Sequence, residues 1–225
     1  MRLNKYIAQS GYCSRRKADE FISEGAVTVN GTIIRELGAK INPIKDKVKV
    51  EGNKVSLILS KTYIAFYKPR GLVTSMSGQH PSLESVVTQI NIPGLFHVGR
   101  LDQESEGLIF LTNDGEWANR ISHPKFETRK VYEVEVNREV KAGDLDMLRS
   151  GITLTDGLFK ADLAEKLGSR KVRLTIHDGR NRIIRRVFAE LSYEVEVLKR
   201  VAIGGVSLGR MRPGQWKEID PFTVL

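Results

Sequence analysis

Residues 99–115 read GRLDQESEGLIFLTNDG, and this stretch decides the fold of the chain around it. The apolar run at 107–112 predicts a buried strand, because turn-forming residues bound it on both sides. Asp102 precedes this strand in a glycine-flanked loop, where a sheet would hold the carboxylate and leave it open to a ligand. An aspartate at such a position often only forms a turn. Asp102, Glu104 and Glu106 together could bind a hard metal ion, although successive acidic residues in a loop more often face water.

Strand and helix patterns follow one another irregularly over residues 61–225. Strands are predicted at 63–69, 107–112, 131–136, 172–176 and 195–198, and helices at 82–90, 115–122, 142–150 and 181–191. Because strands do not alternate strictly with helices, we expect an α+β fold with a mixed, mainly antiparallel sheet and peripheral helices.

Residues 1–60 predict a separate, smaller α+β module. Gly11 ends a first helical pattern, and Ser14 is a good N-cap for a second helix. Asn30-Gly31 then predicts a type I′ turn between short, valine-rich strands. The module therefore consists of two short helices followed by a small sheet.

The composition is that of a folded, basic protein. The chain has 225 residues, with 36 Lys and Arg against 27 Asp and Glu, and a net charge of +9. It is 40% apolar and 28% charged, without a long apolar run, which excludes a disordered or membrane-spanning chain. The length fits a small domain at 1–60 and a larger one at 61–225. Cys13 is the single cysteine and no signal peptide is recognisable, so we expect a reduced, cytoplasmic protein.

Basic side chains concentrate in two places. The run at 14–17, SRRK, opens the second helix, where the backbone amides also favour a phosphate. Residues 166–186 contain eight basic side chains and one acidic residue, Asp178. Each cluster fits either a solvated surface or a phosphate-binding one, so neither alone decides the function.

The arrangement of residues 1–60 resembles the S4 RNA-binding domain. The helix pair, the Ser-Arg-Arg cap and the Val-x-Val-Asn-Gly hairpin occur in the order of that family. The resemblance implies RNA binding through Lys5, Ser14, Arg15, Arg16, Lys17 and Asn30.

Four further motifs extend the resemblance over nearly the whole chain. They are YKPxG at 67–71, GRLD with SEGLIFLTNDG at 99–115, HP at 123–124 with RKxY at 129–132, and GRNRIIRR at 179–186. Together they resemble the RsuA family of pseudouridine synthases, the ribosomal type that carries an N-terminal S4 domain. We therefore expect a synthase domain at 61–225 behind the RNA-binding module.

The resemblance also implies roles for individual residues. Asp102 would be the catalytic aspartate, and Tyr132 would pack against the target base. Arg185 would pair with that aspartate, its apolar neighbour Ile184 would line the pocket, and Arg100 would contact the substrate. Further RNA contacts would come from Arg180, Arg182 and Arg186.

The reaction that the resemblance implies breaks the C1′–N1 bond of a uridine, turns the base and forms a C1′–C5 bond. A carboxylate can attack the sugar or base, or take the C2′ proton, and the sequence does not choose between these routes. The target must be flipped out of folded RNA. We expect no metal and no organic cofactor, because the four histidines are scattered. Ile183 departs from the family, where a polar residue is common, and would affect packing or base contacts near the pocket.

The expected partner is ribosomal RNA or a pre-ribosomal particle. The ending at 196–219 looks more like the members that modify large-subunit (23S) RNA, and we expect a monomer that binds no membrane. One alternative is a non-catalytic S4 protein that assists ribosome assembly. Another is a metal-dependent nuclease that uses Asp102, Glu104 and Glu106. A methyltransferase would need an early glycine-rich loop, whereas Gly204-Gly205 comes late in the chain.

Overall fold

The computed structural model describes residues 1–75, 85–87, 89–90, 92 and 94–224. They form two compact units, the first consisting mainly of Met1–Thr62 and the second of most residues from Tyr63 onward. Short later segments also belong to the first unit, so the expected domain boundary between residues 60 and 61 stays a prediction. No helix in these ranges has the length and apolar composition of a membrane span.

The first unit begins with the two predicted helices, α1 (Leu3–Gln9) and α2 (Arg15–Glu24). Ser14 caps α2, because its side-chain oxygen accepts a hydrogen bond of 3.2 Å from the backbone N–H of Lys17. Gly25 ends α2 in the left-handed region, with φ of 78°. Both helix ends thus follow local sequence signals.

A small antiparallel sheet completes the first unit. Its strands are β1 (Val27–Val29), β2 (Thr32–Ile34), β3 (Val48–Val50) and β4 (Asn53–Val55), in the order β2-β1-β3-β4. Asn30 and Gly31 have φ of 53° and 88°, as the predicted type I′ turn requires. Apolar side chains of both helices pack on the sheet, and the core includes Leu3, Ile7, Ile22, Val27 and Val50.

The remaining strands build the sheet of the second unit and one separate hairpin. They are β5 (Tyr63–Lys68), β6 (Phe96–Val98), β7 (Glu106–Thr112), β8 (Lys130–Val136), β9 (Ile152–Leu154), β10 (Gly157–Phe159), β11 (Leu163–Lys166), β12 (Lys171–Ile176), β13 (Val195–Ile203), β14 (Val206–Ser207) and β15 (Trp216–Glu218). The helices are α3 (Gly115–Ser122), α4 (Ala142–Ser150) and α5 (Ile183–Glu190), with 3-10 turns at Pro124–Phe126 and Pro221–Val224.

The large sheet is mixed, as the sequence predicts. In the described residues it has the order β11-β12-β8-β13-β7-β5-β15, with β6 beside β7 and β14 beside β13, and β9 pairs only with β10. Strands β7 and β13 run parallel, whereas the pairs β11–β12, β12–β8, β8–β13 and β5–β15 run antiparallel. The fold is therefore α+β, with helices at the periphery of a mainly antiparallel sheet.

Some predicted elements differ from the structure. Residues 82–84 and 88 of the predicted helix at 82–90 lie outside the described residues, and the remainder forms turns and one bridge between Ser85 and Val73, so a helix is wrong there. Helix α5 begins two residues later than predicted, because Arg182 adopts a left-handed conformation with φ of 49°. Several short strands, including β11 and β15, were not predicted.

The parallel pair β7–β13 depends on a very close approach of two backbones. Gly107 pairs with Arg200, and a Cβ at Gly107 would lie only 2.2 Å from the Arg200 carbonyl oxygen. Gly107 also has φ of 115°, which a residue with a side chain rarely adopts. Glycine is therefore required at this position for two reasons: a side chain would clash with the Arg200 backbone, and it would disfavour the positive φ.

We expect Gly107→Ala to destabilise the protein by about 3 kcal/mol or more, because the clash involves backbone atoms that cannot rotate away. Urea unfolding followed by circular dichroism measures the change. Gly115→Ala at the start of α3 is the matched control, since nothing lies within 4 Å of its added Cβ and its φ is not positive. The control should be neutral or slightly stabilising, and equal unfolding midpoints for the two variants would contradict the account.

Candidate active site

The second unit contains a cavity of about 260 Å³ beside β8 and β13. Its walls come from the loop before β7, from these two strands, and from the turn before α5. Lining residues include Arg100, Asp102, Lys130, Tyr132, Asp178, Arg180, Arg182, Ile183, Ile184 and Arg200. Its volume lies near the small end of the range for ligand pockets, about 300–1,000 Å³. The cavity therefore suits one small group, such as a single base, rather than a helix of RNA.

Asp102 lies in the loop that leads into β7, as the sequence predicts, and its side chain is 34% exposed. The loop is fixed on both sides of the carboxylate. The Thr74 hydroxyl donates to the Leu101 carbonyl at 2.7 Å, and the backbone N–H of Ser105 donates to the Asp102 carbonyl at 3.0 Å. The carboxylate is thus accessible from the cavity, on a loop whose backbone is hydrogen-bonded on both sides of it.

Lys68 supports the same loop from inside the protein. Its buried ammonium donates to the carbonyls of Ser105 at 2.6 Å, Pro69 at 3.0 Å and Gln103 at 3.4 Å. Burial lowers the pKa of Lys68 to about 8, although nearby carboxylates, foremost Asp102, act in the opposite direction. The YKP motif therefore shapes the site, because its lysine ties β5 to the Asp102 loop.

The arginine that approaches Asp102 is not the one expected. Arg182 lies 3.5 Å from Oδ2 of Asp102 and also pairs with Glu104. Arg185, the expected partner, has its ion pair with Glu104 at 3.6 Å and donates to the Val195 carbonyl at 2.8 Å. The left-handed turn at Arg182 brings its side chain over the loop, while the bond to Val195 holds Arg185 against the start of β13. The expected Arg185–Asp102 ion pair is not present in this structure.

The pKa values of Glu104 and Arg185 reflect the same ion pairs. The pKa of Glu104 is lowered by its own backbone N–H and then by the hydrogen bond from Arg182. The pKa of Arg185 is lowered by burial, which the charge of Glu104 opposes. Glu104 is thus the anion that both arginines share, and it holds the turn before α5 against the Asp102 loop.

Arg180 and Arg186 bind the protein's own acidic side chains. Arg180 donates to Asp178 at 2.6 Å and to Asp156 at 3.1 Å, and it also contacts the carbonyls of the β9–β10 turn. Arg186 pairs with the same Asp156. The pKa of Asp178 is lowered, because the hydrogen bonds from Arg180 outweigh the opposite effect of burial. An RNA phosphate would therefore have to share these arginines with Asp156 and Asp178.

The remaining wall of the cavity is aromatic and apolar. Tyr132 on β8 is 8% exposed, and its hydroxyl lies 3.4 Å from Nη1 of Arg200 on β13. Ile183 and Ile184 are buried and line the cavity at the start of α5. Ile183 is thus packed in the wall of the pocket, and its contact with a base stays a prediction. Arg200 was missed by the sequence analysis, where only a charge inside an apolar strand pattern could have revealed it.

The predicted RNA-binding residues of the first unit divide into two groups. Ser14 caps α2, and Asn30 binds the Asp46 side chain at 3.0 Å and the backbone N–H of Lys47 at 2.9 Å, so both have structural contacts. The charged group lies on both helices and consists of half-buried Lys5 and of Arg15, Arg16 and Lys17, which are exposed on the first turn of α2. Of these, Arg15 contacts Asn4 at 3.4 Å and Lys17 pairs with Glu20 at 2.9 Å.

The carboxylates of the Asp102 loop are not arranged as a metal site. In the ranges that the structure describes, no three His, Cys, Asp or Glu side chains come together at metal-binding distances. Asp102 and Glu104 share Arg182 instead, and a cation would have to displace that guanidinium. A carboxylate beside an aromatic pocket is suited to nucleophilic or base chemistry on a bound ring and its sugar.

Comparisons with known proteins show the family to which the chain belongs. Residues 62–190 match the family model of RNA pseudouridylate synthases, and residues 1–43 match that of the S4 domain. A protein of Aquifex aeolicus named as an uncharacterized RNA pseudouridine synthase is 40% identical over 98% of this chain and 90% of its own length. The ribosomal large subunit pseudouridine synthase B of Bacillus subtilis is 40% identical over 99% of this chain and 93% of its own length.

A solved structure points the same way. The crystal structure of a pseudouridylate synthase superposes with a TM-score of 0.72 and 30% identity, covering 100% of this chain and 98% of that one. The family model spans more than half of the chain, and the relatives cover nearly all of it. The chain therefore belongs to the RNA pseudouridine synthase family and carries an S4 domain at its N-terminus.

Proposed function

We propose that this protein isomerises a specific uridine of large-subunit ribosomal RNA to pseudouridine and that the reaction takes place in the cavity around Asp102. The observation that carries the proposal is the meeting of three side chains at one cavity: the Asp102 carboxylate, the Tyr132 ring and the apolar Ile184. A flat, uncharged base fits between an aromatic and an aliphatic wall. Its sugar would then face the carboxylate.

Asp102 supplies the reacting group in this proposal. It either bonds to the sugar or base, or removes the C2′ proton, while the C1′–N1 bond breaks. Arg182 at 3.5 Å and the fixed loop backbone orient the carboxylate, so that little reorganisation is needed during the reaction. Tyr132 keeps the freed uracil in place while it turns to present C5 to C1′.

The S4 module supplies sequence-independent attraction to the RNA. Arg15 and Arg16 are exposed on the first turn of α2, and their charges add to the backbone amides at the start of that helix. Contacts to phosphates would position the RNA and offset the free energy of flipping the target, which is a few kcal/mol.

The preference for large-subunit RNA rests on relatives. The Bacillus subtilis relative is named a ribosomal large subunit pseudouridine synthase, and an Escherichia coli relative, 35% identical over the full chain, is named a dual-specificity RNA pseudouridine synthase. The names differ in the RNA they imply, so the test offers several RNAs in parallel.

Asp102→Asn should lower the rate of pseudouridine formation by at least about 10³-fold and leave RNA affinity within about twofold, because the amide keeps the shape and loses the nucleophile or base. Single-turnover assays with nucleoside digestion measure the rate. Glu104→Gln is the matched control, since Glu104 holds Arg182 and Arg185 without lining the cavity. It should retain at least about a tenth of the activity. An active Asp102→Asn protein would contradict the assignment.

Unmodified large-subunit RNA should gain pseudouridine at one or a few positions when incubated with the wild-type protein, and small-subunit RNA should gain none. Site-mapped sequencing after chemical labelling of pseudouridine locates the product. Transfer RNA serves as a third substrate. Modification of small-subunit RNA alone would contradict the proposed substrate and leave the synthase assignment intact.

The double change Arg15→Ala with Arg16→Ala should weaken RNA binding and reduce the slope of log affinity against log salt by roughly 0.7–0.9 per lost phosphate contact. The rate at saturating RNA should stay close to wild type, because neither arginine lines the cavity. Lys45→Ala with Lys54→Ala removes the same charge from other exposed positions of the first unit. An equal loss in both double variants would show that only net charge matters.

A further inference from the structure

Arg200 is a buried cation at the cavity that lacks a complete set of partners. Its side chain on β13 is 3% exposed. Nε donates to the Leu108 carbonyl at 2.7 Å, while Nη1 lies 3.4 Å from both the Arg100 carbonyl and the Tyr132 hydroxyl. Nη2 is buried without a hydrogen-bond partner among the described residues. Nor does any described carboxylate lie within 4.0 Å of the guanidinium.

This arrangement is costly unless something else binds there. A buried donor without an acceptor loses its hydration without compensation, and the loss is larger when the donor is charged. Native proteins satisfy the large majority of buried polar groups. Arg200 lines the same cavity as Asp102 and Tyr132, so a ligand in that cavity can supply the missing negative charge.

Three of the other cations of the cavity already have partners in the protein. Arg182 pairs with Asp102 and Glu104, and Arg180 with Asp178. The Lys130 ammonium donates to the Thr128 carbonyl at 3.1 Å. Burial lowers the pKa of Lys130, and the charge of Arg200 lowers it further. Arg200 therefore makes this end of the cavity positive, which favours an anion or an electron-rich oxygen.

We propose that Arg200 is a catalytic residue whose guanidinium donates to a carbonyl oxygen of the bound uracil and stabilises the negative charge of that ring after the C1′–N1 bond breaks. The inference rests on the proposed assignment of the cavity as the reaction site. Arginine is suited to this role because it stays charged and presents its donors in a fixed plane. Donors directed at developing charge in a dry site are among the largest contributions to catalysis.

The electrons balance without a further reactant. The pair of the C1′–N1 bond leaves with N1 and is delocalised onto the ring oxygens, where Arg200 binds it. When the ring has turned, C5 forms the bond to C1′, C5 then loses its proton and N1 gains one. The product is an isomer of the substrate, so nothing is oxidised or reduced. Arg200 itself transfers no proton and forms no bond.

The test compares two leaving groups in an RNA stem-loop that contains the mapped site. 5-Fluorouracil is a better leaving group than uracil, because fluorine withdraws electrons from the ring. Arg200→Met should lower the single-turnover rate of uridine conversion by about 10²–10³-fold. With 5-fluorouridine at the same site, the same substitution should also slow consumption of the nucleoside. The factor of this loss should be at least about five times smaller than the factor for uridine. RNA affinity should change by less than about threefold.

A purely structural role gives a different pattern. If Arg200 only holds Tyr132 and the Leu108 carbonyl, both substrates slow by the same factor, and the proposal is overturned. Unchanged activity on uridine overturns it as well. Arg149→Met is the matched control, because Arg149 also clamps a backbone carbonyl, that of Ala164, but lies outside the cavity. We expect its stability to fall and its rates on both substrates to stay within about twofold of wild type.

If Arg200→Met does not fold, Arg200→Lys replaces it in the same assay. Lysine keeps the charge and loses the planar, forked arrangement of donors, so we expect a loss of about tenfold or more on uridine and a smaller loss on 5-fluorouridine. Equal losses would again overturn the proposal. Failure of the cavity assignment is separate, because it would appear as full activity of Asp102→Asn, whereas active Arg200 variants beside an inactive Asp102→Asn contradict only the role of Arg200.

Discussion

The parallel contact between β7 and β13 is the constraint on which the site depends. Gly107 and Arg200 pair so closely that any Cβ at position 107 would overlap the Arg200 backbone. This contact places the loop before β7, with Asp102, next to the strand that carries Arg200. Strand β8 lies on the other side of β13 and brings Tyr132 to the same place. The close pairing of β7 with β13 thus brings together Asp102, Tyr132 and Arg200 from distant parts of the sequence.

Buried cations then fix the Asp102 loop, which the pairing of β7 with β13 positions. Lys68 binds three carbonyls around the Asp102 loop, and Arg185 connects the loop to the start of β13 through Glu104 and Val195. Each cation is held by several acceptors, which compensates its burial. Arg200 differs from both, because it combines a nitrogen without an acceptor with the absence of any described carboxylate within 4.0 Å, whereas Arg185, whose Nε also lacks a hydrogen bond, has Glu104 at 3.6 Å. That difference separates a structural role from the catalytic role that we propose.

Short sequence patterns correctly predicted the elements that depend on interactions between residues close in sequence. The Ser14 cap, the Asn30-Gly31 turn, the strand at 107–112 and helix α3 all follow from capping, turn and periodicity rules. The contacts at the cavity are not local. The left-handed Arg182 is a tertiary effect, and it changed which arginine reaches Asp102. Arg200 could not be placed, because pairing of β13 with β7 joins residues 93 positions apart.

The central claim is that the cavity around Asp102 receives a flipped uridine, and a crystal structure of the Asp102→Asn protein with its RNA stem-loop tests it most directly. The account predicts that the target uracil leaves the RNA stack and lies against Tyr132. Its sugar should face position 102, and one carbonyl oxygen should lie within about 3.2 Å of a guanidinium nitrogen of Arg200. A target base that remains stacked in the RNA, or binds elsewhere on the protein, would contradict the account.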